Sequence, residues 1–151
     1  HIDHIFGNKF IVDTYNLPLE IHKDELPVLN FAPKTTEFYG IPYPEPSPQP
    51  EKFIEAGDTI SFGNTKLDAR LTPGHSPASL SFYCEKDGFA LAGDALFKGS
   101  IGRTDLPGGD MNTLLQSIRK QLFTLPDDVQ VYSGHGEATT IGEEKRNNPF
   151  F

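Results

Sequence analysis

An α+β fold is what this sequence predicts, and three patterns predict it. Short stretches of two-residue alternation cluster between Asp58 and Ala92. Stretches with helical spacing flank them, the clearest running from Asp110 to Leu122. Gly, Pro and Asn punctuate the joins. At 151 residues the chain has the size of one domain, and residues 1–151 are read as a single domain with a real core.

The elements follow in order. Ile5 to Asn16 carries Phe6, Phe10, Ile11 and Tyr15 at spacings that share a helical face. Asn16-Leu17-Pro18 stops it, and Leu19 to His22 reads as a short strand, with His22 at the surface. Lys23 to Phe31 reads as a helix provided that Pro27 falls in its first turn. From Gly40 to Pro50 a proline stands at every second position, Pro42 through Pro50, which excludes both helix and central strand and predicts an extended surface loop. A stiff connector accounts for that loop; a part in covering a cleft is the functional alternative.

Asp58 to Phe62 and Thr65 to Leu71 alternate about Gly63-Asn64 as a hairpin. Ser79 to Cys84 and Phe89 to Ala92 make a second pair. Asp110 caps an amphipathic helix with Leu114, Leu115, Ile118 and Leu122 on one face. Val129 to Tyr132 reads as a buried strand, and Thr140 caps a last short helix stopped by Asn147-Asn148-Pro149.

Charge and composition narrow the function. The net charge is −8 with no basic cluster, which argues against a nucleic-acid partner. The apolar stretches are too short to span a bilayer, so no membrane partner is expected. The single cysteine, Cys84, excludes an internal disulfide and fits a reducing compartment, the cytoplasm. The chain begins at His1, inside what reads as a motif. A cut chain, or a natural protein that continues upstream with any targeting segment there, is the expectation.

Four of the five histidines and two aspartates share one kind of position, just past a short apolar run or beside Gly or Pro. They are His1, Asp3 and His4 in His1-Ile2-Asp3-His4, then His75 in Thr72-Pro73-Gly74-His75, Asp94 closing Phe89 to Gly93, and His135 between Gly134 and Gly136. Imidazole and carboxylate are ligands for divalent metals, and strand ends let distant residues converge at one sheet edge. Each has an ordinary alternative: an exposed turn or tag remnant for His1 to His4, a solvated histidine at 75, a capping carboxylate at 94. The recurrence favours a metal site, read as binuclear, and hence a metallohydrolase. The spacing i, i+2, i+3 in the first motif predicts a loop at a strand end, since i and i+2 diverge on a helix.

These stretches resemble the metallo-β-lactamase superfamily, whose signature is Thr-His-x-His-x-Asp-His followed by His, Asp and His at later strand ends. More narrowly the chain resembles its short glyoxalase II-like (hydroxyacylglutathione hydrolase-like) type. Thr72 to Pro77, the segment Gly93 to Asp105, Ser133 to Gly136, Thr139 to Gly142 and Asn147 to Phe150 carry the likeness.

The resemblance implies an αββα sandwich lacking its N-terminal strands, with apolar faces left uncovered. His1 matches the second histidine of the signature. Metal 1 would then take an upstream histidine, His1 and His75; metal 2 would take Asp3, His4 and His135; Asp94 would bridge them. The implied cofactors are two divalent ions, zinc first, with iron and manganese compatible.

The implied reaction is hydrolysis of a small-molecule 2-hydroxyacyl thioester by a metal-bridging hydroxide, formed because two close cations lower the pKa of the bridging water. Asp3 and Asp94 are the expected catalytic carboxylates. Lys98 and Arg103 are the candidate substrate cations, with a surface ion pair as the plain alternative for Lys98. Two alternatives stand beside it: a mononuclear-iron persulfide dioxygenase, which shares Gly102-Arg103-Thr104-Asp105, and a catalytically incompetent fragment. β-Lactam hydrolysis is disfavoured by the aspartate at 94.

Overall fold

Pro27 and Gly40 bracket the longest helix of the chain, and both act through their backbone angles. In the computed structural model, which describes residues 1–151, that helix belongs to the first of two compact units, His1–Ile54; the second is Glu55–Phe151.

In the first unit the chain opens with a single 3-10 turn, Ile2–His4, rather than the irregular loop the ligand spacing predicts. The i→i+3 bonds His4 N→His1 O (3.1 Å) and Ile5 N→Ile2 O (3.3 Å) wind it tighter than an α-helix. Helix α1 follows at Asn8–Tyr15, inside the expected range, and Asn16 ends it in the left-handed region at φ 51°.

Strand β1, Glu20–Ile21, is short as expected. His22 departs from the reading: it is buried, not a surface residue. Its Nδ1 accepts the backbone N–H of Asp24 at 3.2 Å, capping a 3-10 turn at Lys23–Glu25.

Helix α2 then runs over Leu26–Tyr39, past the expected stop at Phe31. Pro27 sits in the first turn, where its missing N–H is harmless. Pro33 lies inside the helix and does not break it. Gly40, at φ 64°, provides the left-handed cap that does.

The proline-alternating segment is free of helix and strand, as predicted, and it is fastened rather than loose. Tyr43 accepts the N–H of Ser47 at 2.7 Å and meets Phe6 edge-on, while Asn8 donates to Ser47 Oγ at 2.9 Å. Beyond it strand β2, Lys52–Phe53, pairs in parallel with β1, a contact no local pattern announces.

The second unit is a six-stranded sheet. Strands β3 (Thr59–Phe62) and β4 (Thr65–Leu71) form the predicted hairpin, with Gly63 at φ 56° in the turn. Strands β5 (Leu80–Cys84) and β6 (Phe89–Gly93) follow as predicted. A small hairpin of β7 (Leu96–Phe97) and β8 (Ser100–Ile101) leads to helix α3, Met111–Gln121. Asp110 caps α3 by accepting Thr113 N–H at 2.7 Å.

Strand β9 (Gln130–Ser133), the short β10 (Thr139–Thr140) and helix α4 (Ile141–Asn147) complete the unit, with Thr140 capping α4. The sheet order is β10-β9-β6-β5-β4-β3. One sheet face and α3 bury Ala90, Ala92, Val131, Leu114, Ile118 and Leu122 together.

The topology decides what the site can be. Strands β4 and β5 are antiparallel, β5 and β6 antiparallel, β6 and β9 parallel. Hence β4, β6 and β9 all run the same way, and the residues after each emerge at one sheet edge.

Candidate metal centre

His75, Asp94 and His135 follow those three like-directed strands, and the edge brings them together. His75 Nε2 lies 3.6 Å from Asp94 Oδ2, and His135 Nε2 lies 3.6 Å from the same oxygen. The separation is too long for a hydrogen bond. It suits donors sharing a cation: two ligands each about 2.1 Å from one tetrahedral ion lie about 3.4 Å apart. Each imidazole nitrogen, paired with the Asp94 oxygen, therefore fits a divalent metal.

The surroundings fix each donor. His75 Nδ1 is 2.8 Å from the carbonyl of Arg103. A carbonyl only accepts, so Nδ1 carries a proton, which in the neutral ring leaves Nε2 as the ligating nitrogen facing Asp94. The His75 loop is braced by α3: Ser117 Oγ donates to Pro73 O at 2.9 Å, and Asp110 N–H to Gly74 O at 2.8 Å. Gly74 is at φ 122°, and a Cβ there would stand 2.3 Å from the backbone nitrogen of Leu114. Beneath the loop, Thr72 and Ser81 share a hydroxyl hydrogen bond of 2.8 Å, both fully buried.

Asp94 turns off β6 and is 13% exposed. Gly102 backs it so closely that a Cβ would come to 1.8 Å from the Asp94 carbonyl oxygen and 3.2 Å from His75 Cγ. His135 is the open member of the trio, 58% exposed, with Phe97 against its ring edge-on. Its loop is tied back by Gly134 N→Gly93 O (2.8 Å) and Ser133 Oγ→Leu96 O (2.6 Å).

In the first unit, Asp3 and His4 lie side by side on the opening turn, His4 Nε2 3.4 Å from Asp3 Oδ2. His1 is half-buried and gives its carbonyl to His4 N–H. The two candidate substrate cations are exposed and engaged. Lys98 pairs with Glu137, which raises its pKa above the ordinary lysine value. Arg103 holds Asp105 through two parallel bonds of 2.7 and 2.8 Å, and this guanidinium pulls the Asp105 carboxyl down to about 2. Sequence reasoning missed Gly102 and the Arg103 carbonyl as supports of the site. Their only signal was membership of the Gly102 to Asp105 stretch.

Donors of this kind, held at the ends of like-directed strands, define a metalloprotein with a mixed α/β fold. The chain belongs to the metallo-beta-lactamase superfamily, whose pattern matches residues 1–135. Members of that superfamily are mostly hydrolytic metalloenzymes using divalent metals. Among its relatives, a Bacillus subtilis protein named "Probable metallo-hydrolase YqgX" is 38% identical over 153 residues, covering 99% of this chain and 71% of the relative. The hydroxyacylglutathione hydrolase GloC of Haemophilus influenzae is 34% identical over 152 residues, with coverage of 99% and 71%.

Solved structures agree on the fold. TTHA1623 in a di-iron-bound form superposes with TM-score 0.88 at 35% identity, covering 100% of this chain and 73% of that one. BLEG-1, a B3 metallo-beta-lactamase, gives 0.89 at 37%, with coverage of 99% and 72%. ETHE1 from Myxococcus xanthus gives 0.64 at 27%, with coverage of 98% and 69%.

Proposed function

We propose that residues 1–151 act as one catalytic domain of a binuclear metal-dependent thioester hydrolase. The substrate would be a 2-hydroxyacyl thioester, cleaved to a hydroxy acid and a thiol in the manner of glyoxalase II. The observation that carries this reading is the single Asp94 oxygen facing two imidazoles, the arrangement expected of a bridging carboxylate. The likeness to GloC supports the substrate class.

By the family's scheme an upstream histidine, His1 and His75 would serve one metal, Asp3, His4 and His135 would serve the other, and Asp94 would serve both. When bound, the metals supply Lewis acidity and an activated water near neutral pH. This chain's own groups hold and orient. The Arg103 carbonyl keeps His75 in the Nδ1-protonated tautomer, and Asp3 orients the attacking water. A thiolate is a stable leaving group, so no strong general acid is required. Lys98 and Arg103 are in exposed ion pairs, which exchange for a substrate anion at little cost. Zinc is the first metal expected; the likeness to a di-iron-bound protein supports iron as the second. A free, buried Cys84 accords with the cytoplasm. No helix is long and apolar enough to cross a membrane.

A mononuclear-iron persulfide dioxygenase is the second reading, favoured by the Gly102 to Asp105 stretch and consistent with the likeness to ETHE1. Metal content per chain and turnover of S-lactoylglutathione separate the two. About two metals per chain with metal-dependent thiol release is the expected result. A single iron with oxygen consumption on a persulfide would overturn it. Loss of both metal binding and activity would identify a catalytically incompetent piece.

A further inference from the structure

Glu144 lies on α4, distant in sequence from the proposed metal ligands His75 and Asp94, yet only 1% of it is exposed. A buried carboxylate is tolerated only when its oxygens are satisfied. Here Oε1 accepts the Thr139 hydroxyl at 2.5 Å, and Oε2 accepts Gly99 N–H at 2.9 Å and Asn148 Nδ2 at 2.7 Å. Asn148 Nδ2 also donates to Ser100 O at 3.0 Å. Two of these contacts therefore end on the β7–β8 hairpin, one at Gly99 in its turn and one at Ser100, the first residue of β8. The same hairpin continues into Gly102, packed against the Asp94 carbonyl, and Arg103, whose carbonyl fixes His75.

We propose that Glu144 is a positioning residue for the metal centre, anchoring the hairpin so that the Arg103 carbonyl holds His75 in its ligating tautomer. The inference rests on the reading of His75 as a metal ligand. It also says what matters about Glu144. Gly99 N–H and Asn148 Nδ2 demand an acceptor, whereas the Thr139 hydroxyl turns to accept as readily as to donate. Glutamine supplies both, with its oxygen toward the hairpin and its amide toward Thr139. Hydrogen-bond geometry, not charge, is then the requirement.

The test uses the 151-residue chain as wild type, Glu144→Gln, Glu144→Ala and Asn148→Ala. Nitrogen NMR of the metal-free proteins reports the His75 tautomer, and competition against a chromophoric chelator reports Co²⁺ affinity. Glu144→Gln should keep the Nδ1-protonated signal and bind Co²⁺ within about twofold of wild type. Glu144→Ala should lose the single tautomer and bind about tenfold more weakly, with unchanged circular dichroism.

A folded Glu144→Ala protein with wild-type tautomer and affinity overturns the proposal, as does a folded Glu144→Gln protein that behaves like the alanine variant. Should Glu144→Ala fail to fold, Asn148→Ala, which removes the Ser100 anchor, carries the same expectation and the same refutation. A wild type that binds no Co²⁺ sinks the metal reading instead, and the metal-free tautomer measurement still decides the role of Glu144.

Discussion

The two compact units hold their histidines and aspartates by different means. In Glu55–Phe151 the donors follow strands of a sheet whose core includes Leu114, Ile118, Val131 and Leu96, each fully buried. His75 and Asp94 inherit that rigidity through Ser117, Gly74 and Gly102. In His1–Ile54, Asp3 and His4 sit on a three-residue turn with no buried member, followed by a helix with none either. Its buried apolar residues are small in number, Ala32 and Ile54, while Phe10, Phe31, Phe38 and Tyr39 are exposed. The lesson is that ligand identity and ligand preorganisation are separate properties: one unit presents donors already arranged, the other presents donors on a local turn.

The largest test of this contrast is in packing. Leu114→Ala should destabilise the second unit by about 2–5 kcal/mol, because a fully buried leucine leaves a cavity against Ile118 and Leu122. Phe38→Ala, at a residue 82% exposed, should change stability by less than about 0.5 kcal/mol. Urea unfolding of the two variants measures both, and equal effects would dissolve the contrast.

Next in size is Gly102→Ala. Because the added Cβ would stand 1.8 Å from the Asp94 carbonyl oxygen, the backbone of the site must move. Metal affinity should fall by about tenfold or more, measured by chelator competition, in a protein that keeps its helix and sheet content. Wild-type affinity in that variant would show that the strand edge does not need this support.

The smallest effect concerns Asp105. Its carboxyl is held down to about 2 by Arg103, below the ordinary value of 3.8. A depressed folded pKa means that the pair's contribution is present above the unfolded value and is lost as pH falls through the folded one. That window runs from near 4 down to about 2. Carboxyl-carbon NMR should therefore find Asp105 titrating near the lower limit, and Arg103→Ala should return it toward the ordinary range. An unmoved titration would mean that the Arg103 pair does not set the Asp105 carboxyl.

Local pattern carried much of this protein. The β3–β4 hairpin, β5, β6, the Asp110-capped helix and the Thr140-capped helix were legible because alternation, helical spacing and capping residues act over a few neighbours. So was the placement of His75, Asp94 and His135 past strand ends. The same local logic fell short where distant partners intervene. Helix α2 outruns its expected end because Gly40, not Phe31, offers the left-handed cap, and Pro33 is accommodated within it. His22 is buried while its Nδ1 caps the turn at Asp24, a placement its local pattern did not announce. Strand β2 exists because β1 is there to pair with it.

What the sequence by itself determined is therefore the vocabulary: which residues are donors, which runs are strands or helices, and the family likeness that joins them. What only the tertiary structure decided is direction and contact. The shared course of β4, β6 and β9 aims three donors at one oxygen-centred point, Gly102 leaves room for that approach, and buried Glu144 fastens the hairpin behind it. Such facts depend on strand order and close packing between residues far apart in the chain, and no window of neighbouring residues encodes them.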